Sequence, residues 1–141
     1  MNGKHVLTKV VPSTEELDFM EDRLYEHNCA LTGQSDGQLF GFFIRNEQQE
    51  IIAGITGWTW AQACQIQNLW VHASLRGQGY GRDLLESAEQ EARTQGCQVI
   101  MLDSYSFQAP GFYQKYGYEL VYQLKDFPPG HQNNLLVKRL D

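Results

Sequence analysis

The feature that most constrains this chain is a glycine-rich segment, Arg76-Gly77-Gln78-Gly79-Tyr80-Gly81-Arg82, set between the apolar run Leu69-Trp70-Val71 and an amphipathic stretch. In that stretch Tyr80, Leu84, Leu85, Ala88 and Ala92 recur at helical spacing, opposite Asp83, Glu86, Glu89 and Arg93. A loop that opens a helix points unpaired backbone N–H groups and the positive end of the helix dipole at one spot. Such a spot holds an anion. Gly79 and Gly81 lack Cβ, so a phosphate can approach the backbone, and Arg76 and Arg82 can add charge-assisted bonds. A Walker loop is excluded because no Gly-Lys-Ser or Gly-Lys-Thr follows. A dinucleotide fingerprint counted from Gly77 needs Gly or Ala where Arg82 stands, although Asp103 lies at a suitable distance for its acidic residue. For the glycines taken alone, a turn without any ligand is the bland alternative.

The flanking pattern predicts one α+β domain over residues 1–141 with a mixed sheet. Val6 to Val11 is a short β-branched run stopped by Pro12, and Ser13-Thr14-Glu15-Glu16 spells a capping box. A helix follows through about Asn28 on the spacing of Leu17, Met20 and Leu24. Leu39 to Arg45 and Ile51 to Trp60 form a hairpin across Asn46-Glu47-Gln48-Gln49, and Cys64 to His72 completes an antiparallel meander. After the amphipathic helix, which Gly96 is placed to end, Gln98 to Asp103 reads as a strand covered on both faces. Strand, crossover helix and strand imply a parallel pair. Pro110 to Tyr116 is a short helix closed by Gly117. Glu119 to Leu124 and Leu135 to Leu140 are the last two strands, around Asp126-Phe127-Pro128-Pro129-Gly130-His131.

Composition narrows the function. At 141 residues, 42% hydrophobic and 20% charged, one core suffices. A net charge of −6 and the lack of any basic run argue against nucleic acid and weakly favour cationic substrates. Cys29, Cys64 and Cys97 form no C-x-x-C pair, which suits reduced thiols buried as small hydrophobes. Met1 to Lys9 has no apolar signal core, and no apolar run approaches the ~18 residues of a membrane span, so a cytoplasmic location without membrane contact is expected.

The glycine segment resembles the pyrophosphate loop of the GNAT N-acetyltransferases, which reads Arg or Gln, two residues, Gly, one residue, Gly or Ala. The resemblance extends through Ser106-Phe107-Gln108-Ala109-Pro110-Gly111-Phe112-Tyr113-Gln114-Lys115-Tyr116-Gly117-Tyr118, which looks like the family's final coenzyme-binding segment. It is clear from about Asn68 to Leu120, and the order of predicted elements is similar over nearly the whole chain. The resemblance implies a mostly antiparallel mixed sheet with a central splayed pair of parallel strands and flanking helices. It also implies acetyl-CoA as cosubstrate and an amine of a small molecule or peptide as acceptor, with no metal. Backbone groups around Leu69 and Val71 would bind the acetyl carbonyl and the pantetheine amide, and amides from Gln78 to Arg82 the pyrophosphate. Ser106 stands where many relatives carry an Asn that contacts the coenzyme. Tyr113 matches the tyrosine that protonates the leaving thiolate, a role suited to a phenol of reference pKa ~10. Read as a residue alone, Tyr113 can equally pack a short helix beside Phe112 and Tyr116.

No base is evident. Several relatives carry a Glu or His where this chain has Gln65 and Gln67, neither of which accepts a proton. His72 and His131 are candidates with an ordinary structural alternative, and Asp103 and Glu16 have no geometry from sequence. Trp58, Trp60 and Trp70 can wall a cation or an apolar group, or serve as core. Aromatic strands leave room for a homodimer. Two other classes compete with a catalytic acetyltransferase: a non-catalytic acyl-CoA sensor and a dinucleotide-binding redox domain.

Overall fold

A computed structural model describes residues 3–141, and the chain divides at Ser35 into two compact units. In the first, helix α1 (Thr14–Thr32) begins as its sequence dictates. The Ser13 hydroxyl accepts from the Glu16 amide, and the Glu16 carboxylate accepts from the Ser13 amide. It ends at Gly33, whose φ of 72° is the left-handed cap that glycine adopts without strain. Val6 to Val11 form no strand. β-branched residues favour extended backbone, but a strand also needs a ladder partner, and these residues pair with none.

The second unit is a six-stranded sheet in the order β1-β2-β3-β4-β6-β5. Its strands are β1 (Gln38–Arg45), β2 (Ile51–Trp60), β3 (Ala63–Val71), β4 (Val99–Tyr105), β5 (Glu119–Lys125) and β6 (Gln132–Arg139). Helix α2 (Tyr80–Thr94) joins β3 to β4, and the one-and-a-half turns of α3 (Pro110–Lys115) precede β5. All neighbouring strands are antiparallel except β3 and β4. The expected meander and parallel pair are therefore present.

The core lies between the sheet and α2, where Leu84, Leu85, Ala88 and Ala92 pack with Ala53, Ile55, Cys64, Ile66, Ile100, Leu102 and Leu136. Each buried Leu or Ile there contributes roughly 1.5–3 kcal/mol. Two expectations are corrected. β4 is not covered on both faces: Ile100, Leu102 and Ser104 are buried, while Met101 and Asp103 are exposed, the period-two alternation of a strand with one buried face. Glu89 does not join the polar face of α2 but is 6% exposed, because Lys138 and Tyr118 meet its carboxylate inside.

What positions the site is a local failure of pairing. β3 and β4 are in register only from Ala63↔Val99 to Gln65↔Met101, yet β3 continues to Val71 and β4 to Tyr105. Beyond that point the strands separate. The cause is next door: Thr56 pairs with Asn68 and Gly57 with Ile66, leaving Gln67 as an extra residue, a β-bulge that bends β3. Glycine at position 57 makes the bulge sterically possible. A Cβ there would run into the Gln65 carbonyl oxygen and stand 2.6 Å from the Phe40 ring.

Candidate active site

The loop from β3 to α2 starts with a histidine used as a cap. The Ser74 amide donates to His72 Nδ1 at 3.1 Å, which holds the short 3-10 turn Ala73–Leu75. Gly77 and Gly79 then take φ of 78° and 89°, values that disfavour any side chain. Gly79 is the N-cap of α2, and the first-turn amides of Tyr80, Gly81 and Arg82 have no capping side chain and lie at the positive end of the helix dipole. The Gln78 side chain braces the loop by donating to the Ser74 carbonyl at 3.2 Å. Gly81 also has a use in packing. A Cβ on it would stand 3.3 Å from the Phe112 ring, so its small size serves the packing of α3 on α2.

Two clefts flank the splayed strands. One, of about 510 Å³, is lined by this loop, by Leu69 and Val71, and by Phe112, Tyr113, Lys115 and Tyr116. It gathers the cations Arg76, Arg82 and Lys115, as an anion site requires. The other, of about 590 Å³, is lined by residues 66–71 of β3, by Leu102, Asp103 and Ser104 of β4, and by Phe107. Leu69, Val71, Arg76, Gln108, Ala109 and Tyr113 border both, so the clefts form one passage with Tyr113 on the shared wall.

Backbone groups face the passage by strand alternation. The His72 amide donates to the Ile52 carbonyl on β2 at 2.9 Å, so the polar groups of Val71 and Leu69 turn the other way, into the gap. The Arg76 side chain donates to the Val71 carbonyl at 3.1 Å. Tyr113 is partly buried against Phe112 and Tyr118, with ring centroids at 5.2 and 5.8 Å. Burial pushes its phenol from 10.0 up to about 12, so it keeps its proton throughout the neutral range.

Other expected residues fall elsewhere. The Ser106 hydroxyl accepts from the Gln132 amide at 3.1 Å, which ties the end of β4 to β6 and leaves Gln108 bordering the clefts in its stead. Of the two glutamines, the bulged Gln67 reaches the larger cleft, while Gln65 lies in the paired part of β3. His131 packs edge-on against Phe107 at 5.0 Å. Trp70 borders the larger cleft. Cys64 and Cys97 are buried as expected, and burial lifts the Cys64 thiol from 9.0 to about 12, which disfavours a thiolate nucleophile.

Sequence reading missed Gln108, Lys115 and the cluster of Glu89, Tyr118 and Lys138. Lys115 carried a signal, a cation inside the Phe-Tyr-x-x-x-Gly motif. Glu89 and Lys138 carried none, because they lie 49 residues apart. Among the described residues no group of three or more His, Cys, Asp or Glu is placed to hold a metal ion, and no helix is long and apolar enough to cross a membrane.

The six-stranded mixed sheet with its parallel pair β3 and β4 is the fold of solved acetyltransferases. An acetyltransferase from Bacillus cereus superposes with a TM-score of 0.80 at 33% identity, over 99% of this chain and all of that one. An acetyltransferase of Agrobacterium fabrum is 32% identical over 92% of this chain and 94% of its own length. Blasticidin-S acetyltransferase of Streptomyces morookaense is 38% identical over 73% of this chain and 76% of its own. The family model described as the acetyltransferase (GNAT) family matches residues 7–118, and the chain belongs to that family. It is an acetyltransferase, which sets aside the redox and sensor alternatives.

Proposed function

We propose that this acetyltransferase moves an acetyl group from acetyl-CoA directly to a primary amine of a small molecule, without a covalent enzyme intermediate. The observation that carries the reading is the place of Tyr113, on the wall common to the cationic cleft and the acceptor cleft. Acetyl-CoA supplies an activated thioester. Its diphosphate suits the amides at the start of α2, with Arg76, Arg82 and Lys115 alongside. The backbone donors of Leu69 and Val71 stabilise negative charge as it develops on the thioester oxygen, a contribution worth about 10²–10³ in rate per donor. Tyr113 gives its proton to the sulfur as the C–S bond breaks.

The amine must be neutral to attack. Gln67, which can hydrogen-bond an ordered water, leads the displaced proton out of the cleft. The family match across residues 7–118 supports reading the chain as one catalytic domain over 1–141. The blasticidin-S relative supports a small-molecule acceptor over a peptide. The test is release of free thiol from acetyl-CoA across a panel of amines, including polyamines, amino acids, aminoglycosides and peptide N-termini. Strict dependence of release on a primary amine is expected. Failure of every amine, or equal release without one, would defeat the reading.

A further inference from the structure

The side chain of Tyr113 is held by two rings, Phe112 and Tyr118, and each of those rings is tied to α2. Phe112 closes on Gly81, where even a Cβ would stand 3.3 Å from it. Tyr118, 3% exposed, donates its hydroxyl proton to Glu89 Oε2 at 2.8 Å, and its amide donates to the Tyr113 carbonyl at 3.2 Å. Burial and the Glu89 carboxylate push the Tyr118 phenol well above its ordinary value, so it stays a donor at neutral pH. Lys138 fixes the acceptor in turn. Its ammonium reaches both oxygens of Glu89 at 3.1 Å and lies 5.6 Å from the centroid of the Tyr118 ring.

A core does not need such a cluster. Apolar residues of similar volume often serve as well as a buried ion pair, or better. What the cluster adds is direction, because a hydrogen bond of good geometry sets the angle of the Tyr118 ring where packing alone leaves it free to slide. The two points that tie the rings, Gly81 and Glu89, lie about 12 Å apart along α2. The first turn of that helix is where the reading above places the coenzyme diphosphate. One helix thus carries the coenzyme's anchor at its start and the support of the proton donor along its length. We propose that Glu89 and Tyr118 are positioning residues for acetyl transfer: the bond between them sets the ring of Tyr113, and with it the hydroxyl, relative to a coenzyme anchored at the start of α2. The inference rests on the donor role of Tyr113 proposed above. Misplacing a reacting group by an ångström can cost ~10²-fold in rate, which is the scale on which the bond acts.

The test removes the bond and keeps the ring. Tyr118→Phe should lower kcat by about tenfold or more, with KM for acetyl-CoA within about twofold of the parent. In a Tyr113→Phe background the same change should move kcat by less than about twofold, because no donor is left to place. Two charge-free pairs decide the matter if Tyr118→Phe fails to fold. Glu89→Gln with Lys138→Met keeps an acceptor for Tyr118 and should hold kcat within about threefold, whereas Glu89→Leu with Lys138→Met removes it and should reproduce the tenfold loss. A further readout needs neither coenzyme nor acceptor. With tyrosine ring carbons labelled, the NMR signal of Tyr113 should be single in the parent and the Gln pair, and broadened or split in Tyr118→Phe and the Leu pair. Equal kcat losses with and without the Tyr113 hydroxyl, equal rates in the two pairs, or a Tyr113 signal unmoved throughout would each overturn the proposal. If Tyr113→Phe alone turns over normally, the donor reading fails and the positioning role falls with it. If it is slow and Tyr118→Phe is not, the positioning role alone fails.

Discussion

The carboxylate of Glu89 on α2 lies 3.1 Å from the ammonium of Lys138 on β6, with side-chain exposures of 8% and 21%, and accepts a further bond from the Tyr118 hydroxyl at 2.8 Å. Tyr118 in turn stands edge-on to Tyr113, so this buried pair backs the wall where the two clefts meet. Removing one partner leaves a buried charge without its counter-ion, typically at a cost of 3–5 kcal/mol. Lys138→Ala should therefore destabilise the protein by about 3 kcal/mol, and pairing Glu89→Gln with Lys138→Met should recover much of that loss. Urea unfolding checks both. A single variant within about 0.5 kcal/mol of the parent would show that the pair does not hold α2 to β6.

Coenzyme A should stabilise the fold through the loop that ends at Gly79. At ligand near 100 times Kd, linkage gives roughly 2.7 kcal/mol of added stability. Gly79→Val should remove most of that gain, because a φ of 89° disfavours a β-branched residue and its side chain would crowd the first turn of α2. The measurement is the thermal shift on adding coenzyme A. A full shift in the variant would take the diphosphate away from this loop.

Tyr113→Phe removes one hydroxyl and little volume. Coenzyme binding should persist while kcat falls by roughly 10²–10⁴-fold. The same variant has a signature in stability. Because burial raises the folded-state value from 10.0 to about 12, the folded protein is fully stable with respect to this group below pH ~10, and loses stability as pH rises from there through about 12. Alkaline unfolding should thus be shallower in Tyr113→Phe than in the parent. Near-normal turnover would reduce Tyr113 to packing.

No single side chain is expected to act as the essential base by direct contact with the amine. His72 is engaged as a cap, His131 rests on Phe107, and Gln67, the glutamine of β3 that borders the acceptor cleft, cannot accept a proton. With a water relay, the inflection of kcat/KM against pH should move with the pKa of the acceptor amine. With a protein base it should stay fixed, near ~6.5 for an unperturbed His. A fixed inflection that vanishes in His72→Ala or His131→Ala, with folding intact, would identify that histidine as the base.

By itself the sequence determined the elements and the chemistry that is local along the chain. Ser13 and Glu16 cap α1 through bonds three residues apart, and the 3.6-residue stripe of α2 and the glycines at 77 and 79 act on their own backbone, so each is legible from spacing alone. The Phe-Tyr-x-x-x-Gly motif set Tyr113 on α3 for the same reason. Tertiary structure decided what depends on residues distant in sequence. The bulge at Gln67 becomes visible only once Gly57 is paired with Ile66, and that bulge is what parts β3 from β4 and opens the passage. Ser106 was drawn to Gln132, 26 residues on, and Glu89 was drawn inside by Lys138, 49 residues on. Past Met101 the edge of β4 that faces β3 is unpaired while its other edge stays laddered to β6, so the gap that makes the passage lies on one side of the strand, a consequence of pairing that no local spacing shows.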